Sequence, residues 1–149
     1  MAEETFGPLL TVATFCERIL DEKDGTPSIV RLIDRITFTT PPLVFDREGK
    51  PIDPSVELAF FVRLSSRNVG STNEIRLTFH SPLEEEKELA RVPVTFEPER
   101  SGVNLRVNLT VGLKHLGFCW VKVYLDGVFT VQVPLEILKG ESTESGSKK

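Results

Sequence analysis

Alternation of apolar and polar residues with a period of two runs through this chain from residue 56 onward. Val56, Leu58, Phe60, Val62 and Leu64 fall on one side of the first run, with Glu57 and Arg63 on the other. Ile75, Leu77 and Phe79 alternate with Arg76 and Thr78, and Val92, Val94 and Phe96 alternate with Arg91, Pro93 and Thr95. Val103, Leu105, Val107, Leu109 and Val111 do the same with Asn104, Arg106, Asn108 and Thr110. Successive side chains of a strand point to opposite faces, so each run predicts a half-buried antiparallel strand with one wet face. Turn-forming segments at 67–73, 98–102 and 112–117 separate them.

Two further β-rich runs, 118–125 and 128–137, flank Asp126-Gly127, a pair that tolerates positive φ and predicts a hairpin. With a two-residue loop, Leu125 faces Val128 and both faces of the hairpin come out mixed. With the loop Leu125-Asp126-Gly127 and a bulge at Gly127, Cys119, Val121 and Val123 align with Phe129, Val131 and Val133. That second register makes one clean apolar face and is the one expected, because a one-residue slip turns every side chain over. It sends Trp120, Lys122 and Tyr124 outward as an aromatic ledge. The competing expectation is that a neighbouring segment, such as residues 1–8 with Phe6, covers them, since large aromatics seldom stay fully exposed.

The front of the chain is less regular. Leu9, Val12, Ala13, Cys16, Ile19 and Leu20 fit helical spacing as well as strand spacing, but Thr11, Val12, Thr14 and Phe15 favour a pleated strand. A strand is expected there and another over 28–38, with Val30, Leu32, Ile36 and Phe38 on one side and a turn at Asp24-Gly25. Strict alternation would bury Asp34, so a bulge or break at Asp34-Arg35 is expected to redirect it. Ser81-Pro82-Leu83-Glu84 has the form of a helix start, yet the acidic residues after it lack an apolar face. A hairpin connection with at most one helical turn is expected.

Together these elements predict an all-β fold: about eight antiparallel strands in a two-sheet sandwich, immunoglobulin-like or C2-like. The sandwich is expected over 1–139, with 140–149, rich in Ser, Glu, Gly and Lys, as a disordered tail. A length of 149 residues allows one such core.

Charge narrows the partners. The formal net charge is −4 and the arginines are dispersed among acids, which argues against nucleic-acid binding. The acidic start, Met1 to Thr5, lacks the features of a secretory signal, and no apolar run reaches the ~20 residues of a membrane span. A cytoplasmic location is therefore expected. The two cysteines, Cys16 and Cys119, sit in apolar strand patterns as small buried hydrophobes, and a reducing compartment opposes a bridge between them.

Cys16-Glu17-Arg18 leading into the 28–36 strand that ends in Asp34-Arg35-Ile36, together with the closing hairpin and its Pro134-Leu135-Glu136-Ile137 strand, resembles an uncharacterised bacterial domain-of-unknown-function family. The resemblance implies a small β-sandwich and carries no activity, cofactor or catalytic residue. The acidic segment from Leu83 to Glu88 is a departure from it, longer than the family pattern implies.

Candidate chemistry is sparse. His80 and His115 are the two histidines, and neither has a second ligand at metal-binding spacing. A Cys–His nucleophilic pair would require a thiol to leave the core. Asp21, Asp24, Asp46 and Asp53 lie in loops that could gather at one end of a sandwich as a weak calcium site, although Lys23, Arg47 and Lys50 interrupt them. The reading is a non-enzymatic protein-interaction or scaffold domain without cofactor or resident metal. A protein partner or a second copy of the chain would dock on Trp120, Lys122 and Tyr124. The alternative is a ligand-binding module whose end loops hold calcium, a sugar or a lipid headgroup.

Overall fold

A computed structural model describes residues 8–38, 44–52, 55–66, 72–96, 102–113 and 116–140. These residues hold strands and no helix: β1 (Leu9–Asp21), β2 (Pro27–Ile33), β3 (Arg35–Phe38), β4 (Val44–Phe45), β5 (Pro51–Ile52), β6 (Ser55–Ser65), β7 (Thr72–His80), β8 (Lys87–Thr95), β9 (Gly102–Gly112), β10 (Gly117–Leu125) and β11 (Val128–Lys139). Nine of them form the two layers of a sandwich. Sheet A has the order β2-β1-β6-β9 and sheet B the order β3-β11-β10-β7-β8, while β4 and β5 pair in a small ribbon. The sandwich is the one expected, with nine strands in its layers; the β3–β11 pair is parallel and every other pair is antiparallel.

The core follows the alternation. Phe15, Phe60, Val62 and Leu64 from sheet A meet Ile75, Leu77, Val121, Val123, Leu135 and Ile137 from sheet B, all fully buried. Phe15 and Phe60 pack edge to face with ring centroids 5.0 Å apart, a geometry that puts a positive ring edge on a negative ring face. Cys119 belongs to this core, whereas Cys16 belongs to a separate cluster with Ala59 and Phe61, and both thiols are free.

That second cluster lies on the opposite face of sheet A, where alternation alone predicts solvent. Its cover is the β1–β2 hairpin. β1 pairs with β6 from Leu9 to Cys16, then continues with β2 alone as far as Asp21. Asp21 Oδ1 accepts from Arg106 Nη2 at 2.6 Å, and Arg106 stands on β9, one strand beyond β6, directly opposite Phe61. The distal half of the hairpin therefore leaves the sheet as an arm and folds across its outer face, laying Ile19 and Ile29 on Cys16, Ala59 and Phe61. Gly25, at φ +87°, closes the tip of the arm with Glu22 and Thr26.

Between Ile33 and Arg35 the chain passes from sheet A to sheet B. The break falls at Asp34, as expected, and leaves Asp34 exposed, with its carbonyl accepting from Glu136 N–H at 3.0 Å. One expected set of inward residues is corrected here. Ile36 and Phe38 do pack on the core, but Leu32 is 70% exposed. It sits on edge strand β2, next to Arg31, whose φ of +62° interrupts the pleat. The segment after Ser81 is the hairpin connection expected, without a helical turn: Ser81 Oγ accepts from the N–H groups of Leu83 and Glu84 at 3.3 and 3.1 Å. Residues 1–7 with Phe6, and the 141–149 segment of the tail, lie outside the described residues.

Candidate interaction surface

Asp126 and Gly127 both take positive φ, +51° and +81°, the pattern of a two-residue type I′ turn that matches the twist of its strands. Leu125 accordingly pairs with Val128, and the three-residue loop expected from alternation is not formed. The extra residue enters two positions later. Tyr124 pairs with Phe129 but Val123 pairs with Val131, so Thr130 is the bulge. Beyond it Val121 faces Val133 and Cys119 faces Leu135. The apolar face is as clean as expected, but it is assembled by a tight turn plus a bulge. The correction moves one aromatic: Phe129 turns outward and is 52% exposed.

The turn is anchored sideways as well. Asp126 accepts from Glu74 N–H at 2.9 Å and from Asn73 Nδ2 at 2.7 Å, while its own N–H donates to the Glu74 carbonyl at 2.8 Å. An aspartate serves here because it tolerates the left-handed region and brings two acceptor oxygens.

On the outer face of sheet B, Phe118 and Trp120 stack with centroids 5.9 Å apart at 28°. Nearer the turn, Tyr124 and Phe129 meet edge to face at 5.9 Å. Trp120, Lys122 and Tyr124 are each half-buried, and Phe118 is 48% exposed. Across the strand pair, His80 stands opposite Trp120, Thr78 opposite Lys122 and Arg76 opposite Tyr124. The Arg76 guanidinium carbon lies 4.1 Å from the Tyr124 ring centre, a cation–π contact.

Between the two aromatic pairs sits Glu86, delivered by the acidic connection from β7 to β8. Its Oε2 accepts from Tyr124 Oη at 2.7 Å and from Thr78 Oγ1 at 2.5 Å, and Oε1 lies 3.5 Å from Lys122 Nζ. The Thr78 and then the Tyr124 hydroxyl, with Lys122 alongside, hold the Glu86 carboxyl below the usual glutamate range. So the acidic connection partly covers the Tyr124 end of the ledge, whereas Phe118 is exposed. Phe118 was readable as a neighbour of Trp120 from its two-residue spacing. Arg76 was readable as an outward residue of its strand but not as a partner of Tyr124, and Glu86 carries no periodic signal.

The other candidate groups are placed differently. Asp21 is bound to Arg106 on the arm, Asp24 Oδ1 accepts from Thr26 N–H, and Asp46 Oδ1 accepts from Glu48 and Lys50 N–H. Asp53 and His115 lie outside the described residues. Among the described residues, no three of His, Cys, Asp and Glu gather to hold a metal ion, and no helix is long and apolar enough to cross a membrane. Burial raises the Cys16 thiol, and burial together with the charge of Glu84 pushes the Cys119 thiol up to about 11. Neither thiol is poised as a thiolate nucleophile at neutral pH. Compared with known protein families and with curated proteins, the chain matches none.

Proposed function

We propose that this chain is a non-catalytic protein-interaction domain, and that the outer face of sheet B docks against the same face of a second copy. The observation that carries the reading is the stacked Phe118–Trp120 pair left half-open on a sheet face. Trp and other large aromatics concentrate binding energy when a partner desolvates them. The face also carries both signs of charge, Arg76 and Lys122 with Glu86 and Glu136, so a two-fold arrangement can set each against its opposite. At about 4.8 Å per strand and about 3.3 Å per residue, a five-stranded face spans roughly 700 Å² per copy, close to the roughly 800 Å² per partner of a standard interface. Light scattering on the full chain tests this: a dimer is expected for the wild type, and a monomer for Phe118→Ala/Trp120→Ala. A monomeric wild type at tens of micromolar contradicts it.

A further inference from the structure

The arm leaves a cavity of about 530 Å³ between itself and the outer face of sheet A, within the range of small-ligand sites. This is the other outer face of the sandwich from the proposed docking surface. Its floor and walls include Val12, Ile29 and Phe61, and its polar lining is Arg63, Asn104, Asp24 and Thr26. Arg63 stands on β6 with Asn104 opposite it on β9, and its Nη1 donates to Asn104 Oδ1 at 2.7 Å. The guanidinium occupies the space where a side chain at position 102 would begin: a Cβ on Gly102 would fall 2.9 Å from Cζ and closer still to Nη2. The fork is thus aimed by a side-chain hydrogen bond on one side and by a glycine that leaves room for it on the other.

From this geometry we infer that the cavity binds a small monocarboxylate with an apolar body, the carboxylate on the Arg63 guanidinium and the body against Val12, Ile29 and Phe61. A planar guanidinium matches a carboxylate through two parallel N–H···O bonds. Asp24 selects for a single negative charge. Its carboxylate is held on its own turn by the Thr26 N–H at 2.9 Å and stays ionised, so a dianion entering the cavity meets repulsion that one carboxylate on Arg63 escapes. The apolar walls supply the remaining affinity in proportion to the area removed from water.

The test is an NMR titration of the ¹⁵N-labelled full chain with phenylacetate, with phenylacetamide as the same body without charge and acetate as the charge without the body. Phenylacetate is expected to shift the amides of Val12, Ile29 and Phe61 saturably in the millimolar range, with each control weaker by roughly tenfold or more. Arg63→Met, which keeps an apolar stem, is expected to erase the preference for phenylacetate over phenylacetamide. Ile29→Trp, which fills the cavity, is expected to abolish both while the amides of sheet B keep their wild-type positions. Equal binding of phenylacetate and phenylacetamide overturns the inference, as does the absence of saturable shifts at these three residues. Should Arg63→Met not fold, Gly102→Ala displaces the same guanidinium, and unchanged phenylacetate affinity in that variant overturns it equally.

Discussion

The Glu86 carboxylate and the Tyr124 hydroxyl meet at 2.7 Å on the outer face of sheet B, joining the acidic β7–β8 connection to the closing hairpin. Because Thr78, Tyr124 and Lys122 all favour the charged form, folding depresses the Glu86 pKa from its ordinary value of 4.5. A carboxyl depressed by folding adds stability above its unfolded pKa and loses it as the pH falls through the folded one. The connection is therefore expected to come loose below pH 4.5, with faster hydrogen exchange at residues 83–86. Carboxyl NMR that finds Glu86 titrating at its ordinary value contradicts this. Tyr124→Phe is expected to move the Glu86 titration upward while leaving the fold intact.

Asp126 supplies both the backbone conformation of the hairpin turn and the link from that turn to β7. Asp126→Ala forces a residue with poor tolerance for positive φ into the turn and leaves the Glu74 N–H without its acceptor. A loss of about 1–3 kcal/mol in chemical denaturation is expected. Asp126→Asn keeps the turn conformation and one acceptor oxygen, so it is expected to lose less.

The two thiols report on global opening. Both are buried, and Cys119 is held up near 11, so iodoacetamide at pH 8 is expected to modify neither faster than the protein unfolds. Since folding raises this pKa, the associated stability is intact below the ordinary value of 9.0 and drains away as the pH climbs toward 11. Rapid labelling of Cys119 in native conditions contradicts its place in the core.

The arm rests on apolar contact more than on its ion pair. Arg106→Ala removes a solvent-exposed bond to Asp21 and is expected to cost about 1 kcal/mol or less. Phe61→Ala deletes a buried ring beneath the arm and is expected to cost about 3–5 kcal/mol. Thermal denaturation of the two variants side by side gives the comparison, and equal losses contradict it.

How much of this was legible in the sequence depends on the range of the interaction. The alternation from Val56 to Leu64 gave the inner face of β6 directly, because burial on one face imposes a period of two. The wet face expected opposite it is covered at Ala59 and Phe61, which form a second apolar cluster with Cys16. What covers the second face, the arm, follows from where β1 parts from β6, and no local pattern marks that point. In the closing hairpin, the inward set Cys119, Val121 and Val123 was correct. The position of the extra residue was not, because a bulge at Thr130 and a longer loop at Leu125 restore the same alternation. They differ in the orientation of Phe129 and in register, Val121 pairing with Val133 where the longer loop would pair it with Val131. Glu86 reaches Tyr124 from 38 residues away, and a lone glutamate in an acidic run gives no hint of that contact.

Trp120 is the single tryptophan of the chain and lies within the proposed docking face, so its fluorescence reports whether two such faces meet. On dilution from tens of micromolar to nanomolar, its emission is expected to shift to longer wavelength and its quenching by iodide to rise as two sheet B faces separate. The same dilution of Phe118→Ala, in which loss of the stacked ring is expected to weaken docking while keeping Trp120, should change both less. Emission and quenching that stay constant for the wild type across that range would contradict docking through this face.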